Sequence, residues 1–90
     1  MSVRIRVHPL LQELAKDQEI VEIEGENVGE CLWNLDKKIP GMAENLFDRN
    51  GKLLKHIEIF VNGKTAFPNE LTTVVTDGDE ISLLILLAGG

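Results

Sequence analysis

The stretch that decides the fold is NVGECLWNLDKKIPG, residues 27–41. Asn27 stands at a helix N-cap position with Glu30 three residues later, a spacing in which side chains satisfy the free backbone N–H groups of a first turn. The apolar residues that follow lie four, three and four positions apart: Val28, Leu32, Leu35 and Ile39. Pro40-Gly41 ends the pattern. The stretch therefore predicts one amphipathic helix, with Trp33 well off its apolar stripe.

Two segments before the helix alternate apolar and polar residues, which is the pattern of half-buried strands. They are residues 2–8 and residues 19–24, joined by a leucine-containing link, residues 9–18, in which we expect a short helical turn. If the two strands pair antiparallel, their outward side chains meet as ion pairs. The expected partners are Arg4 and Arg6 on one strand with Glu22 and Glu24 on the other.

The chain after the helix contains three further strand segments separated by turn signals. In order, we expect a short helical piece at 42–47, a turn at Asn50-Gly51, a strand at 57–61, a turn at Asn62-Gly63, a short strand at 65–67 stopped by Pro68, a turn at Asp77-Gly78-Asp79, and a last strand at 80–86.

The single main helix limits the architecture, because it can cover only one face of the sheet. We therefore predict an α+β fold with a ubiquitin-like β-grasp topology. Its mixed sheet has four to five strands, with the first and last strands parallel at the centre and the helix packed on one face. Residues 1–90 form one domain, and residues 87–90 form a flexible C-terminal tail.

Composition excludes several classes of partner. The net charge is −6 and the pI is about 4.8, which disfavours nucleic acid and anionic membrane surfaces and favours a basic protein surface. No apolar stretch approaches the roughly 18 residues that span a bilayer, and the first residues lack the apolar core of a signal peptide. We expect a soluble cytoplasmic protein, monomeric when free.

The chain offers no set of residues that predicts catalysis or metal binding. His8 and His56 are far apart and lack a third ligand, so a zinc site is not expected. Cys31, the only cysteine, is interpreted as a small core residue because no histidine is placed to activate it. We expect a protein that is not an enzyme by itself and binds no cofactor.

Two features remain as candidate functional sites. The first is the terminal Ala88-Gly89-Gly90, a slender segment that suits a narrow active site in another protein, although such an end also arises without function. The second is an apolar patch on the outer face of the sheet, where alternation places Phe60, Leu84 and Leu86. The alternative is that residues 9–16, or a bend of the last strand, cover this patch.

The whole chain resembles the ThiS/MoaD family of ubiquitin-like sulfur carriers. The resemblance rests on Val-Arg-Ile-Arg-Val at the start, the capped helix, Ile-Phe-Val-Asn-Gly at 59–63, Thr-Asp-Gly-Asp-Glu-Ile-Ser at 76–82, and the closing Leu-Ala-Gly-Gly. Within the family, the chain is most similar to carriers of cysteine or homocysteine synthesis, with molybdopterin-synthase small subunits next.

The resemblance implies a specific chemistry. A ubiquitin-activating-like adenylyltransferase of the MoeB/ThiF type would use ATP and magnesium to adenylate Gly90, and a sulfur donor would convert the product to a thiocarboxylate. An acceptor biosynthetic enzyme would then receive the sulfur. In such a system Gly90 is the attachment residue, Gly89 and Ala88 give access to it, and the outer apolar residues bind the partners.

The sequence departs from the family at one point and leaves other functions open. Many members carry proline before the tail, whereas residues 84–87 are Leu-Ile-Leu-Leu. This difference weakens any inference about the acceptor enzyme. A ubiquitin-like modifier joined through Gly90 to lysines of other proteins is the main alternative, and a non-carrying binding module that shares the fold is a third.

Overall fold

The computed structural model describes residues 2–86. The predictions for the flexible tail, including Ala88, Gly89 and Gly90, lie outside the described residues. The elements are five strands, one α-helix and three single-turn 3₁₀ helices. In chain order they are β1 (Val3–Arg6), a 3₁₀ turn (Pro9–Leu11), β2 (Ile20–Ile23), α1 (Val28–Lys38), a 3₁₀ turn (Ala43–Asn45), β3 (Ile57–Val61), β4 (Lys64–Thr65), a 3₁₀ turn (Glu70–Thr72) and β5 (Glu80–Ile85).

The strands form one mixed sheet in the order β2-β1-β5-β3-β4. The two central strands, β1 and β5, are parallel, with Ile5 beside Ile81. Every other pair of neighbours is antiparallel, and Ile59 of β3 lies opposite Leu83 of β5. With α1 on one face, this is the predicted β-grasp, and the fold prediction is confirmed.

The capping residues of α1 act nearly as predicted. The Oδ1 atom of Asn27 accepts a hydrogen bond from the Glu30 backbone N–H at 2.7 Å. The Glu30 carboxylate in turn accepts from the backbone N–H of Glu26 at 3.1 Å, one residue before the cap itself. Two N–H groups that the helix cannot satisfy internally are thereby satisfied, which fixes where α1 begins.

The core lies between α1 and the inner face of the sheet. All four residues of the predicted helix stripe are buried, as are the inward-facing residues of the strands. The largest fully buried side chains include Ile5, Leu32, Leu35, Ile59, Ile81 and Leu83. The aliphatic composition therefore supplies the core, and within residues 2–86 no α-helix packs on the opposite face of the sheet.

One detail of the predicted strands is wrong. The fourth strand is Lys64–Thr65, not 65–67, because the Ala66 carbonyl accepts from the Asn69 N–H and turns the chain away from β3. Phe67 consequently lies outside the strand and is 72% exposed.

The predicted cross-strand pairs of charged residues are in register at one position only, and none of them forms an ion pair among the described residues. Arg4 lies opposite Glu22 as expected, but Arg6 lies opposite Ile20. The Arg6 guanidinium instead contacts Glu19 and Glu80, each at 3.3 Å. Glu24 follows the end of β2 and has no strand partner in β1, so its predicted pairing with an arginine is wrong.

Phe47 packs against Trp33, a contact that the sequence does not predict. The two rings stack with centroids 4.5 Å apart and planes 4° from parallel. Phe47 is buried, and Trp33 remains 46% exposed. The short segment after Pro40-Gly41 is thus held against the exposed side of α1. Among the residues described, no helix is long and apolar enough to cross a membrane.

Candidate partner-binding site

The outer face of β5 is apolar toward its end. Ile81 and Leu83 are buried in the core, whereas Leu84 is 38% exposed and Leu86 is 51% exposed. The predicted alternation of this strand is therefore confirmed. The side chains that point away from α1 have no helix to cover them, so they meet solvent.

Phe60 shares this outer face and is half-buried. It lies opposite Ser82 on β5, which makes Leu84 its diagonal neighbour across the two strands. Such a diagonal pair is within reach of an aromatic ring, at about 7 Å. We call Phe60, Leu84 and Leu86 the outer patch.

The segment that could have covered the outer patch packs elsewhere. Leu11 and Ala15 are buried in the core. Leu14 lies near Gly41, shortly after the end of α1. A Cβ atom added at Gly41 would be 4.0 Å from the Leu14 Cδ2 atom. The alternative that residues 9–16 cover the outer patch is therefore wrong, and Leu84 and Leu86 remain open.

Leu86 also anchors the point at which the described chain leaves the sheet. Its backbone N–H donates to the His56 carbonyl at 2.7 Å, which extends the pairing of β5 with β3 by one residue. Whatever follows residue 86 therefore starts from a fixed position beside the outer patch. Gly90 lies outside the described residues, whereas Leu86, from which the chain continues toward Gly90, lies within them.

The opposite end of β5 is fixed by a carboxylate. Asp79 accepts from the Asn62 side chain at 2.9 Å and from the Thr76 N–H at 2.8 Å. These hydrogen bonds lower the pKa of Asp79 below its ordinary value of 3.8, and the bond from Asn62 has the largest effect. Partial loss of hydration acts in the opposite direction and raises the pKa. The carboxylate is a structural acceptor at this turn.

The titratable candidates set aside in the sequence do not assemble into a site. Cys31 is fully buried, and burial, with a smaller contribution from Glu30, raises the pKa of its thiol to about 11. His8 uses Nδ1 to accept from the Leu10 N–H at 3.1 Å, so it caps a local turn. Within residues 2–86, no group of three or more His, Cys, Asp or Glu side chains is placed to hold a metal ion.

Sequence reasoning missed a groove beside the end of β5. It has a volume of about 620 Å³ and is lined by residues 51–55, 57–58 and 67–72 and by Leu86. These segments are distant in sequence, so no local pattern joins them. The one available signal was the run of basic residues between 49 and 56, which carries no acid. We call this feature the tail-side groove.

Comparison with known proteins places the chain in a family. The model of the ThiS family matches residues 5–90, which is nearly the whole sequence. The chain belongs to the ThiS family. The resemblance to ubiquitin-like carriers of the ThiS/MoaD type, drawn from the motifs, is thereby confirmed.

Individual proteins match this chain over their full length or close to it. The chain is 30% identical to the sulfur carrier protein CysO of Mycobacterium tuberculosis and 42% identical to a putative sulfur carrier protein of Archaeoglobus fulgidus, each over 93 aligned positions covering 100% of both chains. It is 32% identical to small archaeal modifier protein 1 of Haloferax volcanii, covering 89% of this chain and 91% of that protein.

A solved structure shows the same ubiquitin-like architecture. One chain in the crystal structure of the Amycolatopsis orientalis BexX/CysO complex superposes with a TM-score of 0.89 and 27% identity. The match covers 98% of this chain and 99% of that one. The β-grasp seen in residues 2–86 of this ThiS-family chain therefore corresponds to the fold of that chain over nearly its whole length.

Proposed function

We propose that this chain is a sulfur carrier that works through Gly90. The observation that carries the proposal is the family match, which extends to Gly90 itself. The similarity to CysO and to the Archaeoglobus carrier supports it, since both are named as sulfur carriers. The outer patch and the fixed exit at Leu86 are consistent with a protein that presents its end to enzymes.

The proposed chemistry has two steps, both performed by partners. In the first, a MoeB/ThiF-type adenylyltransferase uses ATP and magnesium. A Gly90 carboxylate oxygen attacks the α-phosphorus of ATP, pyrophosphate leaves, and an acyl-adenylate forms. In the second, a donor that supplies sulfur at the oxidation level of hydrosulfide attacks the carbonyl carbon, the bond from that carbon to the AMP oxygen breaks, the proton on sulfur is released, and a thiocarboxylate results. A carboxylate is a poor electrophile until one oxygen becomes a good leaving group, which is why adenylation must come first.

This chain contributes binding and presentation to these steps. It is proposed to be a carrier and substrate and not an enzyme, as its relatives are small carrier proteins. Gly89 and Ala88 keep the approach to Gly90 narrow, because glycine has no side chain and alanine only a methyl group. The outer patch supplies apolar contact area of the kind found in protein interfaces.

The acceptor is proposed to be a biosynthetic enzyme of the cysteine/homocysteine or molybdopterin type. The crystal structure of a BexX/CysO complex and the structure of a complex of subunits 1 and 2 of a molybdopterin-converting factor support the existence of a stable enzyme partner. The ATP that activation consumes is consistent with work in the cytoplasm, with the free carrier as a monomer.

The test is intact-mass analysis after co-expression with the source organism's MoeB/ThiF-type enzyme and its sulfur donor. We expect the mass increase that accompanies exchange of one oxygen for sulfur, located at Gly90 by fragmentation. A chain lacking Gly90 is the control and should keep its mass. Absence of the shift in the intact chain, when the enzyme turns over ATP with a known carrier, would refute the proposal.

A second candidate is a protein modifier joined through Gly90 to lysines, and the similarity to small archaeal modifier protein 1 favours it. Conjugates would be sought by mass spectrometry, but no Lys or Arg follows Lys64. Trypsin would therefore leave residues 65–90 on each target. An Ala88→Arg variant reduces the remnant to Gly-Gly. Such remnants on lysines would establish the modifier role, and only free chain would exclude it.

A further inference from the structure

The tail-side groove starts where β5 ends. Leu86 lines one end of it and also belongs to the outer patch. An enzyme that draws the residues after Leu86 into its active site must therefore sit against the groove. The position of the groove beside Leu86 makes the groove part of any interface that a partner forms around the end of β5.

The floor of the groove is apolar and continuous with the core. Leu53, Leu54 and Leu71 are half-buried and pack against core residues. Phe67, which is 72% exposed, stands at the rim. A partner side chain that fills this space would bury apolar area, which favours association.

The rim is charged and polarised. Lys52 and Lys55 are exposed on the side formed by residues 51–55, whereas Glu58 and Glu70 lie along the other segments. None of these four forms an ion pair with another of the described residues. Residues 49–57 carry basic side chains and no acid in a chain whose net charge is −6. The side formed by residues 51–55 is thus opposite in charge to the protein as a whole, whereas Glu58 and Glu70 make the rest of the lining acidic.

The groove also exposes part of a strand edge. β4 pairs only with Phe60 and Val61, so the Ile57–Glu58 end of β3 has no strand beside it on the groove side, as far as residues 2–86 show. The other edge of the sheet is closed by α1 side chains. The Asn34 amide donates to the Glu24 carbonyl at 2.8 Å, and the Lys38 ammonium donates to the Glu22 carbonyl at 3.2 Å. At the β3 edge, the Ile57 backbone N–H already donates to the Leu54 carbonyl at 3.0 Å. Strand addition is therefore not expected at either edge, and a segment docked in the groove would be held by side-chain contacts.

We propose that the tail-side groove docks a segment of the activating enzyme, with apolar side chains on its floor and acidic side chains over Lys52 and Lys55. This inference rests on the proposed activation of Gly90. The activating enzyme is the partner chosen because adenylation is common to the carrier and modifier functions. Complementary charge at the rim of an interface mainly accelerates association and selects the partner.

The test compares steady-state adenylation of two carrier variants by the purified activating enzyme, followed as pyrophosphate release. For the double variant Lys52→Glu, Lys55→Glu we expect KM to rise about tenfold at low salt with kcat unchanged, since rim charges act on encounter. The increase should shrink as salt is raised. Lys37→Glu, an exposed lysine on α1 away from the groove, is the matched control and should keep the KM of the unmodified chain.

A further variant tests the apolar part of the groove. Phe67→Ser removes an exposed ring and should raise KM without changing the unfolding transition. Unchanged KM in both Phe67→Ser and the double lysine variant would overturn the docking inference. If the unmodified chain is not adenylated at all, the proposed function fails instead, so the two failures are distinguishable.

Discussion

The Asn62 carboxamide and the Asp79 carboxylate are hydrogen-bonded, Nδ2 to Oδ1, at 2.9 Å. Asn62 also accepts from the Glu80 backbone N–H at 3.0 Å. These bonds join the turn after β3 to the turn before β5, which are 17 residues apart in sequence. The two turn motifs that carried the family resemblance are therefore one structural unit.

Loss of the Asn62 side chain should destabilise the protein. Asn62 has a left-handed φ of 50°. Alanine adopts this conformation only at a cost in free energy, whereas glycine adopts it without that cost. We expect Asn62→Ala to lower the free energy of unfolding by about 2 kcal/mol, combining lost hydrogen bonds with backbone strain. Asn62→Gly, which keeps the backbone conformation, should lose less, and urea denaturation of both separates the two effects. Equal losses would show that backbone strain is unimportant here.

Asp79 should make the stability depend on acidic pH. Because its folded pKa is lowered, the charged form stabilises the native state above the ordinary value of 3.8, and this contribution is lost as pH falls through the lowered pKa. Denaturation of the unmodified chain and of Asp79→Asn should therefore differ at neutral pH and converge below pH 3.8. A difference that stays constant across this range would contradict the assignment.

Gly29 should resist substitution although it lies within a helix. Alanine at an open helix position gains about 1 kcal/mol over glycine. A Cβ at Gly29, however, would lie 2.9 Å from the Leu71 carbonyl oxygen. We expect Gly29→Ala to lower the free energy of unfolding by about 1–3 kcal/mol, as overpacking does. Lys37→Ala, exposed on the same helix, should stay within about 0.5 kcal/mol; a stabilised Gly29→Ala variant would refute the close contact.

Cys31 should be inert in the folded protein. Its burial and its thiol pKa of about 11 predict that iodoacetamide does not react at neutral pH until the chain is unfolded. Because the folded pKa is raised, the associated stability is present below 9.0 and is lost as pH rises toward 11. A Cys31→Ala chain lacks this alkaline loss. Rapid alkylation of the native protein would contradict the burial of the thiol.

The outer patch should tolerate charge without loss of the fold. Leu84→Asp should change the free energy of unfolding by less than about 1 kcal/mol, because the side chain already meets solvent. It should nevertheless weaken binding to the activating enzyme in isothermal titration calorimetry. Phe60→Asp, at a half-buried position, should weaken binding with a larger cost in stability.

The neighbouring residue on β5 provides the control for this prediction. Leu83 is 1% exposed, so Leu83→Asp buries a charge and should cost more than about 3 kcal/mol or abolish folding. If Leu84→Asp unfolds the chain to the same extent, the assignment of the two faces is wrong. If it leaves both stability and enzyme binding unchanged, the outer patch is not a partner-binding surface.

The elements that follow from local sequence were predictable. The cap at Asn27 and the four-residue apolar stripe of α1 depend on spacings of three and four, and the structure confirms them. The facing of Leu84 and Leu86 depends only on strand alternation and is likewise confirmed.

Contacts between distant segments were not predictable in the same way. Trp33 meets Phe47 because the chain reverses after Pro40-Gly41, and no spacing encodes that stack. Arg6 lies between Glu19 and Glu80, and the second of these comes from a strand whose position depends on the whole sheet. The tail-side groove has the same origin, since its walls meet only after β3 and β5 have paired.

The central place of β5 has a consequence for synthesis of the protein. Because β5 lies between β1 and β3, the sheet is divided until residues 80–85 have left the ribosome. A nascent chain that stops short of them keeps two unpaired strand edges and an open core, and pairing of such distant segments is slow. The domain therefore cannot close before residues 80–85 have been synthesised. Under the proposed function, an activating enzyme that binds both the folded sheet and the residues after β5 would reject prematurely terminated chains. No separate proofreading step would be needed.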